Sequence, residues 1–278
     1  MDAQGFLKAD IGRGDATTEL LVPGVDGTAY VTCEQDTVIA GVKAVSDLLE
    51  SVGLDVSALA SDGDRVKAGS RVLSVSGSLR TIITAERTAL NILMRMSGVA
   101  DLTAKAVEKA DGRIVVAATR KTTPGFGDFE KEAVRIAGGD PHRAGLDSMI
   151  MIKDNHIAAC GSVRTAMEKV GKASFSTKVE IEVTGVQDAV TAAEMGADII
   201  MADNCGPELT GEIRDAVKAV SDRILVEASG GIGIDDIPSY IGKADIVSLG
   251  CITHSAVASM FSMDVNRGRQ TDYTEKED

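Results

Sequence analysis

What most constrains the fold of this chain is a rhythm in its second half. After Asp111-Gly112, short apolar runs recur, each followed by a polar stretch at helical spacing: IVVAA from 114, MIMIK from 149, KVEIEV from 178, ADIIMAD from 197, ILVEAS from 224 and ADIVSLG from 244. Starts roughly 20–35 residues apart are the spacing of β/α units, and parallel strands covered on both faces read as continuous apolar runs. The rhythm predicts an α/β protein, either a parallel barrel or an open doubly wound sheet. Polar residues favour the barrel, because they cluster at many strand ends rather than at one crevice. Thr119-Arg120-Lys121, Lys153 to His156, Glu180 with Glu182, Asp203-Asn204, Glu227 to Gly231 and Gly250 all lie in or just after successive runs.

The first part of the chain has a different texture. Gly27–Cys33 and Thr37–Ala40 read as strands, Val42–Val52 as a helix, and Asp62–Gly77 as a second β-rich stretch with Gly and Asp turn signals. From Thr81 to Lys109 the spacing is helical without proline, interrupted only by Ser97-Gly98, which predicts one long helix or two joined end to end. The chain accordingly divides into an α+β domain over 1–110 ending in that helix, a barrel domain over 111–265 and a polar tail over 266–278.

Composition narrows the class of partner. Forty-two acidic against 29 basic residues give a formal charge of −13, which opposes nonspecific attraction to nucleic acid or anionic membrane. No apolar run approaches the roughly 18 residues of a membrane span, and the first residues lack the plan of a signal peptide, so a cytoplasmic protein is expected. Cys33, Cys160, Cys205 and Cys251 are scattered and suggest reduced, structural thiols.

Between Arg113 and Arg164 eight basic residues meet six acidic ones, so this window is positive in an acidic chain. Arg120, Lys121, Arg143 and Lys153 fall near strand ends or turns, where guanidinium forks and ammonium groups suit a carboxylate or phosphate. Solvated surface ion pairs are the plainer alternative. Glu182 and Asp203 end the next two strands; they could hold Mg²⁺ through water, stabilise a sugar that develops positive charge, or simply pair with Lys153 and Arg120. Ser229-Gly230-Gly231 and Leu249-Gly250-Cys251 put small residues where backbone N–H groups can approach a phosphate. The three histidines, His142, His156 and His254, each sit in a polar motif.

These motifs resemble a known family. ERTALNILMRMSG at 86–98, TRKTTPGF at 119–126, GGDPHRAGL at 138–146, IKDNHI at 152–157, VEIEV at 179–183, MADN at 201–204, EASGGI at 227–232 and LGCITHS at 249–255 are similar, in order and spacing, to the quinolinate phosphoribosyltransferases. The resemblance runs from Gly14 to about Asp264. It implies a type II phosphoribosyltransferase: an incomplete α/β barrel with an N-terminal α/β sandwich domain, in a homodimer or hexamer whose active sites are shared between subunits. The implied reaction joins quinolinate and phosphoribosyl pyrophosphate, with Mg²⁺, to give nicotinate mononucleotide, pyrophosphate and CO₂ in NAD biosynthesis. By the same resemblance Arg120, His142, Arg143 and Lys153 form a carboxylate cluster, with Arg87 reaching in from the partner subunit. Lys121, Glu182 and Asp203 fall on the phosphoribosyl and Mg²⁺ side, with Lys153, Glu182 and Asp203 as the catalytic set, and Ser229, Gly230, Gly250 and His254 on the 5′-phosphate. One departure stands out: Phe126-Gly127-Asp128 follows Pro124-Gly125, where family members often carry Arg.

Other functions remain to be weighed against this one. A molybdenum-associated relative shares the fold, but the KDNH motif is intact here; a nicotinate transferase needs fewer cations than this cluster supplies. A Schiff-base aldolase would want Lys153 desolvated, which Asp154 and an anionic ligand oppose. A noncatalytic binding module would not need Glu182 and Asp203 opposite the cations.

Overall fold

The computed structural model describes residues 2–171 and 173–267, in two compact units: residues up to Gly98 together with the segment from Val257, and Val99–Ala256. The first unit holds β1 (Asp26–Cys33), β2 (Thr37–Val38), β3 (Asp55–Ala58), β4 (Arg65–Val66) and β5 (Arg71–Ser78). The second holds β6 (Val115–Ala117), β7 (Ile150–Ile152), β8 (Val179–Val183), β9 (Ile199–Asp203), β10 (Leu225–Ser229) and β11 (Ile246–Ser248); a last strand, β12 (Phe261–Arg267), returns to the first unit.

In the first unit an antiparallel sheet runs β12-β1-β5-β3, and β2 pairs with β4 separately. The helix Val42–Glu50 buries Val42, Val45, Leu48 and Leu49, one apolar stripe at helical spacing. The expected long helix is a single one of 32 residues, Leu79–Ala110, and Ser97-Gly98 does not break it. Both residues are there for packing. The Ser97 hydroxyl bonds the N–H and the carbonyl of Ala40 at 3.0 and 3.2 Å, and a Cβ on Gly98 would collide with the backbone at Val257.

The expected boundaries shift accordingly. The end of the helix at 110 is not a domain edge, since the division at Gly98/Val99 falls inside it. Nor does the chain to 265 belong wholly to the barrel: β12 pairs along β1 from Phe261↔Cys33 to Arg267↔Gly27, with Phe261 buried. Polar residues conceal this strand in the sequence, because beyond Phe261 its side chains are half-buried or exposed through Asn266 and leave no apolar alternation. The rest of the expected tail, 268–278, lies outside the described residues.

The second unit is the parallel sheet that the apolar rhythm predicts. Its order, β6-β11-β10-β9-β8-β7, makes chain neighbours into spatial neighbours and closes β11 onto β6, leaving β6 and β7 as unpaired edges. This is an incomplete barrel. The free edge of β6 is not wasted: Asp140 bridges to Ala117, exchanging backbone bonds with Val116 and Ala118 at 2.8 Å. The apolar core lies between the strands and the outer helices, with Ile181, Ile200, Ala202, Ile213, Val217 and Val226 buried there. Among the described residues no helix is long and apolar enough to cross a membrane.

Candidate active site

Strand alternation turns one set of side chains toward the barrel axis. On β8, Val179, Ile181 and Val183 join the apolar core, which leaves Glu180 and Glu182 on the inner face. The same alternation turns inward Met201 and Asp203 of β9, Glu227 and Ser229 of β10, and Ser248 of β11. A cavity of about 460 Å³ opens at these strand ends. Arg120, Lys121, His142, Arg143 and Lys153 line it, as do Glu182, Asp203, Ser229 and Gly230. A second cavity of about 340 Å³ shares Lys121, Ser229 and Gly230 and adds Gly250 and His254. Eleven of the twelve expected site residues therefore converge on two overlapping cavities.

The floor is a buried cluster. His142 Nε2 lies 3.2 Å from Glu227 and 3.4 Å from Glu180, both fully buried, and the Ser248 hydroxyl donates to Glu227. One Nε2–H can aim at one acid; Glu227 receives it, and both oxygens of Glu180 lack a hydrogen bond. Burial lowers the pKa of His142, but the adjacent Glu180 and Glu227 carboxylates outweigh it and lift it to about 10. Against this field, Nδ1 accepts the Arg143 N–H at 2.8 Å, so a second ring proton would set two donors face to face. Nε2 thus faces the two acids and Nδ1 the turn, and burial raises the pKa of Glu180.

The rim is different. Among the described residues, Arg120, Lys121 and Arg143 have no ion-pair partner, and burial followed by the neighbouring Arg120 pulls Arg143 below the usual guanidinium value. Lys153 is the exception, since its ammonium pairs with Glu182. The pairing foreseen as the plain role of Glu182 is thus present, and Asp203 accepts a bond from the Asn204 amide at 2.9 Å. Gly230 (φ 95°) abuts Asn204, where a Cβ would have no room.

The histidines divide in role. His142 belongs to the floor, while His156 caps the helix Asp154–Cys160 by accepting the Lys153 N–H at 2.9 Å. His254 sits against Gly250 and bonds the Ser255 hydroxyl at 2.7 Å. At the departure from the family pattern, Gly127 starts the helix Gly127–Ile136, and a Cβ there would meet the Thr122 hydroxyl at 2.9 Å. The loop is built around a missing side chain.

Two buried charges on that helix were not among the expected site residues. Glu130 accepts from the Thr123 N–H and hydroxyl at 2.9 and 2.8 Å, and the Lys131 ammonium donates to the carbonyls of Pro141 and Arg143. In sequence DFEKEAVR looks like a solvated charged face. The available signal was that Glu130 falls on the same helical stripe as Ala133 and Val134. Glu180 and Glu227 were visible as strand residues, but only the fold shows that they share one imidazole. Arg87 belongs to the first unit; its side chain is 61% exposed and lines a separate cavity there with Asp15 and Thr84.

Comparison with known proteins agrees with this architecture. Residues 15–97 match the family model for quinolinate phosphoribosyl transferase, N-terminal domain, and residues 99–264 match that for its C-terminal domain. A protein of Archaeoglobus fulgidus named probable nicotinate-nucleotide pyrophosphorylase (carboxylating) is 43% identical over 258 residues, 91% of this chain and 98% of its own. One of the same name from Methanothermobacter thermautotrophicus is 41% identical over 268 residues, 94% and 96% of the two chains. The crystal structure of NadC from Streptococcus pyogenes superposes with a TM-score of 0.87 at 37% identity, covering 95% of each chain.

Proposed function

The chain belongs to the quinolinate phosphoribosyl transferase family, and from that premise we propose that it transfers the phosphoribosyl group of phosphoribosyl pyrophosphate to quinolinate and decarboxylates the product. The observation that carries this at the level of the site is the unpaired rim: three cations face one cavity without an ion-pair partner among the described residues. Quinolinate brings two carboxylates. Arg120, Arg143 and Lys153, with the His142 turn beneath, dock them and aim the ring nitrogen at the ribose carbon. The nitrogen forms the new bond as the bond from that carbon to pyrophosphate breaks, so no side-chain nucleophile is required. Glu182 and Asp203 oppose the positive charge that develops on the ribose, and Lys121 faces the phosphates. The bond to the carboxylate beside the quaternised nitrogen then breaks, its electrons remain on the ring carbon, and a proton replaces CO₂.

The three donors His142, Glu180 and Glu227 lie within 4.8 Å of one another, yet a buried imidazole with two desolvated acids does not suit a hard ion that keeps its waters. Glu182 and Asp203 face open cavity and fit better, as groups that meet Mg²⁺ through water when it arrives with the phosphates. Mg²⁺ would there neutralise the leaving pyrophosphate. Arg87 lies on the first unit, and in this reading it completes the rim of a neighbouring subunit in a dimer. Incubation with quinolinate, phosphoribosyl pyrophosphate and Mg²⁺ should release CO₂ and nicotinate mononucleotide in equal amounts. Turnover of nicotinate in place of quinolinate would overturn the assignment.

A further inference from the structure

Lys131 has no part in that chemistry, yet it is one of four Asp, Glu, Lys or Arg residues buried among the described residues, with Glu130, Glu180 and Glu227. Burying an ammonium costs free energy unless its bonds are specific. Those of Lys131 are: its two acceptors, the carbonyls of Pro141 and Arg143, flank His142, which adopts the left-handed backbone (φ 53°) that a non-glycine residue avoids. Asp140 closes the same turn by accepting the His142 N–H at 2.6 Å, and the free edge of β6 fixes Asp140 itself. Next to Lys131, Glu130 fastens Thr123 in the loop that carries Arg120 and Lys121. One helix thus holds both cation-bearing loops by adjacent residues.

The geometry points to Lys131 as a positioning residue for the acceptor: by clamping the carbonyls on either side of His142 it maintains the strained turn that presents His142 and Arg143 to the cavity. This rests on the reading that Arg143, carried by this turn, receives a carboxylate of quinolinate. Glu130 serves the Arg120 loop in the same manner. The ammonium is also within reach of solution pH. Burial draws it down to about 8, Arg120 and Arg143 pull in the same direction, and Asp140 opposes them. Deprotonation weakens two charge-assisted bonds, so the clamp should slacken as pH rises through that value.

The test is steady-state kinetics of Lys131→Met and Lys131→Arg with each substrate varied across the pH range, together with thermal unfolding of each variant. Lys131→Met should raise KM for quinolinate by about tenfold or more while KM for phosphoribosyl pyrophosphate moves by less than about twofold. Lys131→Arg, which also offers two donors but does not deprotonate, should recover much of that loss and abolish the alkaline fall in kcat/KM for quinolinate expected of wild type near pH 8. If Lys131→Met fails to fold, the Arg variant and the wild-type profile carry the test. Equal weakening of both substrates, or an alkaline fall that persists in Lys131→Arg, would overturn the clamp alone. A wild-type enzyme inert toward quinolinate would instead overturn the functional reading on which it rests.

Discussion

In the floor of the barrel cavity, His142 and Ser248 both meet the buried Glu227, whereas at the rim Arg120, Lys121 and Arg143 form no ion pair among the described residues. Glu180 apart, the floor finds its partners within the chain. The rim is finished only by something that arrives with negative charge. The contrast separates two uses of ionisable residues: burial with partners fixes backbone and ring orientation, while exposure without partners leaves binding energy to be realised on a ligand. Lys153 stands between them, since its ion pair with Glu182 must be shared with or yielded to an incoming carboxylate.

The largest expected effect concerns whether the rim is complete in one chain. If the enzyme is the proposed dimer with shared sites, Arg87→Ala and Lys153→Ala should each be nearly inactive alone. Co-refolded, about half of the dimers are mixed and each has one intact site of two, so statistical mixing should return about a quarter of wild-type activity. No recovery, with subunit exchange shown by mass spectrometry, would confine Arg87 to its own chain. Next comes the floor: Glu227→Ala leaves the Ser248 hydroxyl without its acceptor and takes the nearer acid from the His142 N–H, and should cost about 2–4 kcal/mol in denaturant unfolding. A rim substitution such as Lys121→Ala should change unfolding by less than about 0.5 kcal/mol. If the two cost the same, floor and rim do not differ as described. Smaller still, Asp203→Asn should lower kcat about tenfold while KM changes less, because a charge opposing the ribose matters mainly in the transition state. A pure KM effect would make Asp203 a binding group.

How much of this was legible in the sequence follows from the same contrast. The six barrel strands were readable because a parallel strand buried on both faces must be an apolar run, and the rim was readable because Arg120, Lys121 and Lys153 follow those runs directly. The floor was not. Glu180 and Glu227 lie on different strands, and His142 reaches them from a loop held at the edge of β6, so their meeting depends on barrel closure. Lys131 was hidden for a related reason, since its burial comes from a loop that folds back over its helix. In the first unit, β3 carries only half-buried Val56 on an otherwise exposed strand, too little alternation to register.

The central claim is that the open rim takes the carboxylates of the acceptor, and calorimetric titration of wild type and Arg143→Ala with three pyridine acids tests it most directly. Quinolinate carries both carboxylates; nicotinate and picolinate each lack one. Losing a bidentate carboxylate contact should weaken quinolinate binding by roughly 2–5 kcal/mol. For whichever single acid lacks the group that Arg143 holds, the same substitution should cost less than about 0.5 kcal/mol, so that the cycle shows strong coupling between one side chain and one carboxylate. Equal losses for all three acids would contradict the account, because Arg143 would then be shaping the cavity rather than holding a carboxylate.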